Sequence, residues 1–188
     1  EVSQMLMKLV SFYRLSTKVY DSMVAVRKEV EMLDAYMSLM CYRYSDIIYR
    51  SEIEPGALDI EIPNFILQPL LENSLMHGLK DRRYQGTIIL KIYRNEQDKN
   101  ELNIWLIDDG IGIPDDKMAE LNAYNAKDSE ALYRVQTRTE GDRTHLGVIN
   151  VISRLKLYYQ ENAEVIYMRN ETGGTTVKIK IKTASEET

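Results

Sequence analysis

The stretch ELNIWLIDDGIGIP, residues 101–114, decides the fold. Its first eight residues alternate in character as a strand does, which leaves Asp108 at the strand's end beside the sheet core. Gly110 and Gly112 follow at alternate positions and free the backbone to approach a flat ligand closely. A carboxylate at the floor of such a pocket accepts a hydrogen bond from an exocyclic amine such as that of adenine. An Asp-Gly turn alone is common. Two alternate glycines after a strand-end aspartate make a bare turn the weaker explanation.

Upstream, TIILKIYR (87–94) alternates in the same way and is joined to residues 101–108 by the polar NEQDKN, which predicts a hairpin. Before it, Pro55-Gly56 marks a turn, and Leu58, Ile60 and Ile62 alternate as a strand would. IPNFILQPLLENSLMHG (62–78) then reads as a helix that starts at Pro63 and is closed by Gly78, with a kink or a lost hydrogen bond expected at Pro69. On that helix Asn73 and His77 share a face one turn apart, while Glu72 points about 100° away. An amide oxygen with a histidine one turn on suits Mg²⁺ and phosphate; an ordinary polar helix end explains the pair equally well. Downstream come a short helix near Asp115 to Asn122 and a polar stretch from Ala123 to Thr144 that predicts a mobile loop. LGVINVISRLKLYY (146–159) reads as a helix opened by Gly147, whose first amides offer a place for phosphate. The strands AEVIYMRN and TVKIKIKT follow, joined by a turn containing GGTT (173–176). This order predicts an α/β sandwich with a mixed, mostly antiparallel sheet and helices on one face.

Residues 1–50 contain neither proline nor glycine. Val26, Val30, Leu33, Met37, Met40, Tyr44 and Ile47 keep a strict 4-3 spacing, one stripe of a long helix. Val2, Met5, Leu6, Leu9, Phe12 and Tyr13 make a shorter stripe, with a weak break near Ser16 to Asp21. Such stripes must be buried, against a partner helix or against the rest of the chain, and the regular heptads favour the partner. The chain thus divides into a helical segment, 1–52, and an α/β domain, 53–188. With 44% hydrophobic and 28% charged residues it is of globular composition, and a net charge of -5 gives no overall basic field for nucleic acid or anionic lipid. The single cysteine, Cys41, rules out an internal disulfide framework and fits a reducing cytosol. No apolar run is long enough to span a membrane, and no signal sequence opens the chain. It opens instead in mid-helix without a methionine, so residue 1 is expected to fall inside a longer protein.

A helix bearing Asn73, a strand-end DxGxG, a long loop, a helix opened by Gly147 and a GGT hairpin together resemble the N, G1, G2 and G3 boxes of the GHKL ATPase superfamily. That superfamily shares the Bergerat α/β sandwich and includes histidine kinases, DNA gyrase and the mismatch-repair MutL proteins. The resemblance covers roughly residues 55 to 185. LQPLLENSLMHG, HLGVIN and RLKLYY look more narrowly like sensor kinases of the LytS/YesM type, and LVSFYRLS with VRKEVEMLDAYMSLMCYRYSD resembles the region after their phosphoacceptor box.

The resemblance implies a protein-histidine kinase that uses ATP and Mg²⁺. Asn73 matches the Mg²⁺-coordinating asparagine and, with Glu72, forms the catalytic pair. Asp108 matches the adenine-contacting aspartate, flanked by Gly110 and Gly112; His77, Gly147 and Thr175 complete the nucleotide contacts. The acceptor box, approximately QINPHFLYN, does not occur, and the only histidines are His77 and His145. The acceptor is therefore expected upstream of Glu1. A response regulator, a homodimer through the N-terminal helices, and a place as the cytoplasmic portion of a bacterial membrane protein are implied as well. His145 and Thr172 depart from glycines common at their positions and leave a degenerate binding and dimerisation module as a rival. A gyrase-like ATPase is the other rival, and Pro69 stands where its glutamate base would be.

Overall fold

The computed structural model describes residues 23–127, 132 and 143–183, apart from the side chains of residues 143–146. In chain order the elements are β1 (Met23–Ala25), α1 (Val26–Arg43), β2 (Ile47–Ile53), β3 (Glu61–Pro63) and α2 (Leu67–Asn73). Then follow β4 (Gly86–Arg94), β5 (Glu101–Asp108), α3 (Asp115–Ala123), α4 (Arg143–Tyr159), β6 (Ala163–Arg169) and β7 (Thr175–Lys182). The five-stranded sheet runs β2-β4-β5-β7-β6, and β1 pairs separately with β3. Only β2 and β4 are parallel; β4–β5, β5–β7 and β6–β7 are antiparallel.

Alternation builds the two layers. Ile88, Leu90 and Ile92 of β4, Leu102, Ile104 and Leu106 of β5, and Val177, Ile179 and Ile181 of β7 are all buried and meet the apolar faces of the helices. The intervening residues form the other sheet face. There Lys178 Nζ lies 4.0 Å above the Trp105 ring, and Tyr93 meets that ring edge-on at 5.8 Å. The outer edge of β6 is not left open. Asn122 takes the N–H and C=O of Tyr167 at 2.8 and 2.9 Å, and Asn125 does the same for Val165, so two side-chain amides stand in for a neighbouring strand.

The sandwich with helices on one face is as the sequence predicts, but several boundaries move. The apolar stripe does not continue as helix to Ile47. α1 ends at Arg43, and Ile47 opens β2 instead. Val26, Val30, Leu33 and Met37 lie in this chain's own core, so the packing that the heptads assigned to a partner helix is supplied by the sheet and α2. The earlier stripe, Val2 to Tyr13, and the break at Ser16 to Asp21 lie outside the described residues. The strand expected over 58–62 shrinks to β3, after a 3₁₀ turn at Pro55–Ala57.

The helix expected from Pro63 begins at Leu67, because Phe65 takes left-handed backbone, φ 60°. Pro69 therefore falls in the first turn, where an N–H has no intrahelical partner, and no kink is required. The helix continues as a π-helical turn, Ser74–Leu79, so Gly78 sits inside it and does not close it. α4 starts at Arg143, which puts Gly147 past the first turn and not at its opening. Most of the loop expected between Ala123 and Thr144 lies outside the described residues; its beginning is the end of α3 and a 3₁₀ turn, Tyr124–Ala126.

Candidate functional site

β5 lies in the middle of the sheet, and its alternation sends Asp108 to the helix side at the strand's last residue. The carboxylate is buried, 3% exposed, and held from three directions. Ser74 Oγ donates to Oδ2 at 2.9 Å, and the N–H groups of Gly110 and Thr175 donate to Oδ1 at 3.0 and 3.2 Å. Burial pushes its pKa above the ordinary aspartate value, and the nearby Asp109 adds to the rise, while the three hydrogen bonds pull the other way.

Such close packing needs glycine. A Cβ on Gly110 would lie 2.5 Å from the Gly78 carbonyl oxygen, and one on Gly174 would lie 2.8 Å from the Gly110 nitrogen and collide with the Asp108 carbonyl. Gly112 has φ +75°, and its missing Cβ makes room for the Gly173 carbonyl. The strand end, the π-helical turn and the β6–β7 turn thus touch backbone to backbone. Asn170 clamps that turn: its Nδ2 donates to the carbonyls of Asp108 at 2.8 Å and Thr175 at 3.2 Å.

A cavity of about 840 Å³ opens over this floor. Leu70, Leu121, Val148, Tyr167 and Val177 form an apolar part of its wall, and Asn73, His77, Lys80 and Lys117 contribute polar groups. An apolar slot with a carboxylate and an array of polar and cationic groups suits a planar base carrying phosphates. The Tyr167 hydroxyl is buried and has no hydrogen-bond partner among the described residues.

Of the residues singled out from sequence, Glu72, Asn73, His77, Asp108, Gly112 and Thr175 all line this one cavity. Gly110 shapes its floor from beneath through Gly78. Gly147 does not line it; the nearest heavy atom to its added Cβ is in Pro69, at 3.7 Å, while the next residue, Val148, reaches the wall. Glu72 accepts a hydrogen bond from Gln68 Nε2 at 2.8 Å, whereas the Asn73 amide makes no hydrogen bond among the described residues. Thr172 bonds Asn170 Oδ1 through its hydroxyl at 2.7 Å and so supports the turn in place of a glycine. The His145 side chain lies outside the described residues. Sequence reasoning missed Ser74, Asn170 and Tyr167 and gave Gly78 and Gly174 only a helix end and a hairpin turn, because their roles arise only when three distant segments meet.

Residues 59–185 match the family described as histidine kinase-, DNA gyrase B- and HSP90-like ATPases. The sensor protein LytS of Oceanobacillus iheyensis is 33% identical over 92% of this chain, and that of Staphylococcus epidermidis RP62A is 28% identical over 98%. The chain spans only 28% and 29% of those proteins' lengths. Among solved structures, the catalytic domain of the histidine kinase ThkA superposes with a TM-score of 0.57 at 11% identity, covering 89% of this chain and 100% of that one. The histidine kinase domain of the Erythrobacter litoralis EL346 blue-light activated kinase gives 0.53 at 18% identity, covering 96% of this chain and 73% of that one. These likenesses speak for the fold. A match over residues 59–185, with the Asp108 floor and its glycine contacts inside it, makes the chain a member of the histidine kinase-, DNA gyrase B- and HSP90-like ATPase family.

Proposed function

We propose that this chain is the ATP-binding catalytic part of a bacterial two-component sensor histidine kinase, which transfers the γ-phosphoryl group of ATP to a histidine upstream of Glu1. The observation that carries the reading is the pairing of a buried, triply bonded Asp108 with an Asn73 amide that makes no hydrogen bond among the described residues, both on the wall of one cavity. Asp108 would accept the exocyclic amine of adenine, and the Asn73 oxygen would hold Mg²⁺ against the phosphates. Mg²⁺ commonly takes one or two protein oxygens and completes its shell with phosphates and waters. Phosphoryl transfer depends on positioning, which Asp108 and Asn73 would supply, and on charge neutralisation, which Mg²⁺ held at Asn73 and the cationic Lys80 and Lys117 would supply, with Glu72 and His77 beside them on the wall.

The relatives named LytS sensor protein support the kinase reading over a gyrase-like ATPase, and so does Pro69, which has no carboxylate to activate water. The whole protein would act as a homodimer, hand its phosphoryl group to a response regulator, and hold this portion in the cytoplasm beneath a membrane anchor. No described helix is long and apolar enough to cross a membrane. α1 and β2, which make up most of the described part of the segment read as the remainder of the dimerisation and phosphoacceptor region, pack on the ATP-binding unit, and the homodimer would form through the N-terminal helices. The test is a chain extended upstream through the next helix and incubated with γ-labelled ATP. Acid-labile, base-stable label on the extended chain, lost in Asn73→Ala, is the expected result. No label despite measured ATP binding would favour the degenerate module.

A further inference from the structure

The turn at residues 64–67 is tied to two other helices, and one buried carboxylate makes the tighter tie. Glu29, on α1, is 1% exposed. Its Oε1 accepts the Phe65 N–H at 2.8 Å, and its Oε2 accepts those of Ile66 and Leu67 at 3.2 and 3.1 Å. These donors flank the start of α2, where N–H groups find no partner within the helix. The ordinary solution is a local serine, threonine, aspartate or asparagine at the cap. Here the cap residue is Ile66, with no side-chain acceptor, and the acceptor comes from a residue 36 to 38 positions earlier in the chain. Arg154 of α4 donates to the Asn64 carbonyl at 2.7 Å and lies near enough to Glu29 for its charge to favour that carboxylate. Phe65, between the two ties, keeps left-handed backbone that a non-glycine residue holds only when its surroundings impose it.

α2 ends on Asn73, and α4 carries Val148 to the cavity wall. The turn therefore joins α1 to two elements that line the cavity, and Glu29 lies outside the residues 59–185 that match the family. We propose that Glu29 is a positioning residue for the nucleotide site: it sets the start of α2 against α1, so that Asn73 reaches the metal and phosphate end of a bound nucleotide. A shift of α1 along the sheet would then alter that end more than the Asp108 floor, which loses at most the Ser74 contact and keeps the Gly110 and Thr175 N–H bonds. The inference rests on the reading of Asn73 as the amide that holds Mg²⁺.

The test compares two ligands on the 188-residue chain: Mg·ATP, and ADP in excess EDTA, which keeps the base contacts and removes the metal. In Glu29→Gln an NH₂ replaces one of the accepting oxygens and faces an N–H group. Mg·ATP binding should weaken about three- to tenfold, while ADP binding in EDTA weakens distinctly less. Equal weakening of both ligands, or a lower melting temperature with neither affinity changed, would make Glu29 a structural cap only and overturn the proposal. Should Glu29→Gln not fold, Arg154→Met removes the other tie and the cation near Glu29 while keeping the three N–H donors, and the same split is expected in smaller measure; its absence would overturn the proposal equally. Asn73→Ala, measured alongside, separates the two claims. If it leaves Mg·ATP binding unchanged, the Mg²⁺ reading fails and this inference falls with it; if it weakens Mg·ATP alone, the outcome in Glu29→Gln decides.

Discussion

Asp108 is an acceptor for three donors and has room for a fourth only from the cavity. An asparagine there keeps the size, and its single oxygen can still face the Gly110 and Thr175 N–H groups, while Ser74 can turn to accept from the new NH₂. The fold should survive, and the amine of adenine should meet a donor. A hydrogen bond to a charged acceptor is worth about 1.5–3 kcal/mol, so Asp108→Asn should lose roughly tenfold to a hundredfold in ATP affinity by titration. A pH effect follows from burial. The folded protein holds the Asp108 proton to a higher pH than the unfolded chain does. Its contribution to stability is thus complete below the ordinary aspartate range and is lost as pH rises through the raised value. Asparagine does not titrate, so the stability of Asp108→Asn relative to wild type should rise as pH climbs above the ordinary aspartate range of about 4, as thermal melts would record. Gly110→Ala places a Cβ against the Gly78 carbonyl and should cost about 1–3 kcal/mol, read as a lower melting temperature with weakened ATP binding. Asp108 and Gly110 were legible in sequence because a strand end and a glycine pair are local signals. Ser74, Asn170 and Gly174 were not, since Ser74 and Asn170 meet Asp108 across 34 and 62 positions and Gly174 lies in a turn whose contacts depend on sheet order.

At the scale of elements, alternation read the hairpin β4–β5 and the strands β6 and β7 to within a residue or two. It failed where one apolar pattern serves two structures. The 4-3 stripe runs on to Ile47 because a strand's first buried residue fits the next helical position by chance, and the spacing cannot say whether the stripe faces a partner or its own sheet. The shift of the helix start from Pro63 to Leu67 depends on Glu29, a contact no local signal announces. Two neighbouring positions on the α1 stripe can be told apart. Met37 is 1% exposed within the core, whereas Met40 is only partly buried beside it. Met37→Glu should therefore unfold or severely destabilise the monomer, because an unpaired buried charge is costly. Met40→Glu should be far milder. Circular dichroism melts of the two variants check this, and equal, small effects would place the stripe outside the core.

Taken as a whole molecule, the chain is a sheet roofed by helices, with its cavity where the middle strand, the π-helical turn and the β6–β7 turn converge. His77 lies on the cavity wall, whereas an acceptor must approach the γ-phosphate in line from outside. The 188-residue chain alone should therefore gain no acid-labile phosphate from γ-labelled ATP, and labelling of the chain would show that an acceptor is present after all. The central claim, that this cavity is an ATP site built on Asp108 and Asn73, is tested most directly by calorimetric titration of the chain with Mg·ATP. One saturable site below millimolar nucleotide, weakened strongly by Asp108→Asn, is the predicted result. No saturable binding at millimolar nucleotide by a folded protein would contradict it.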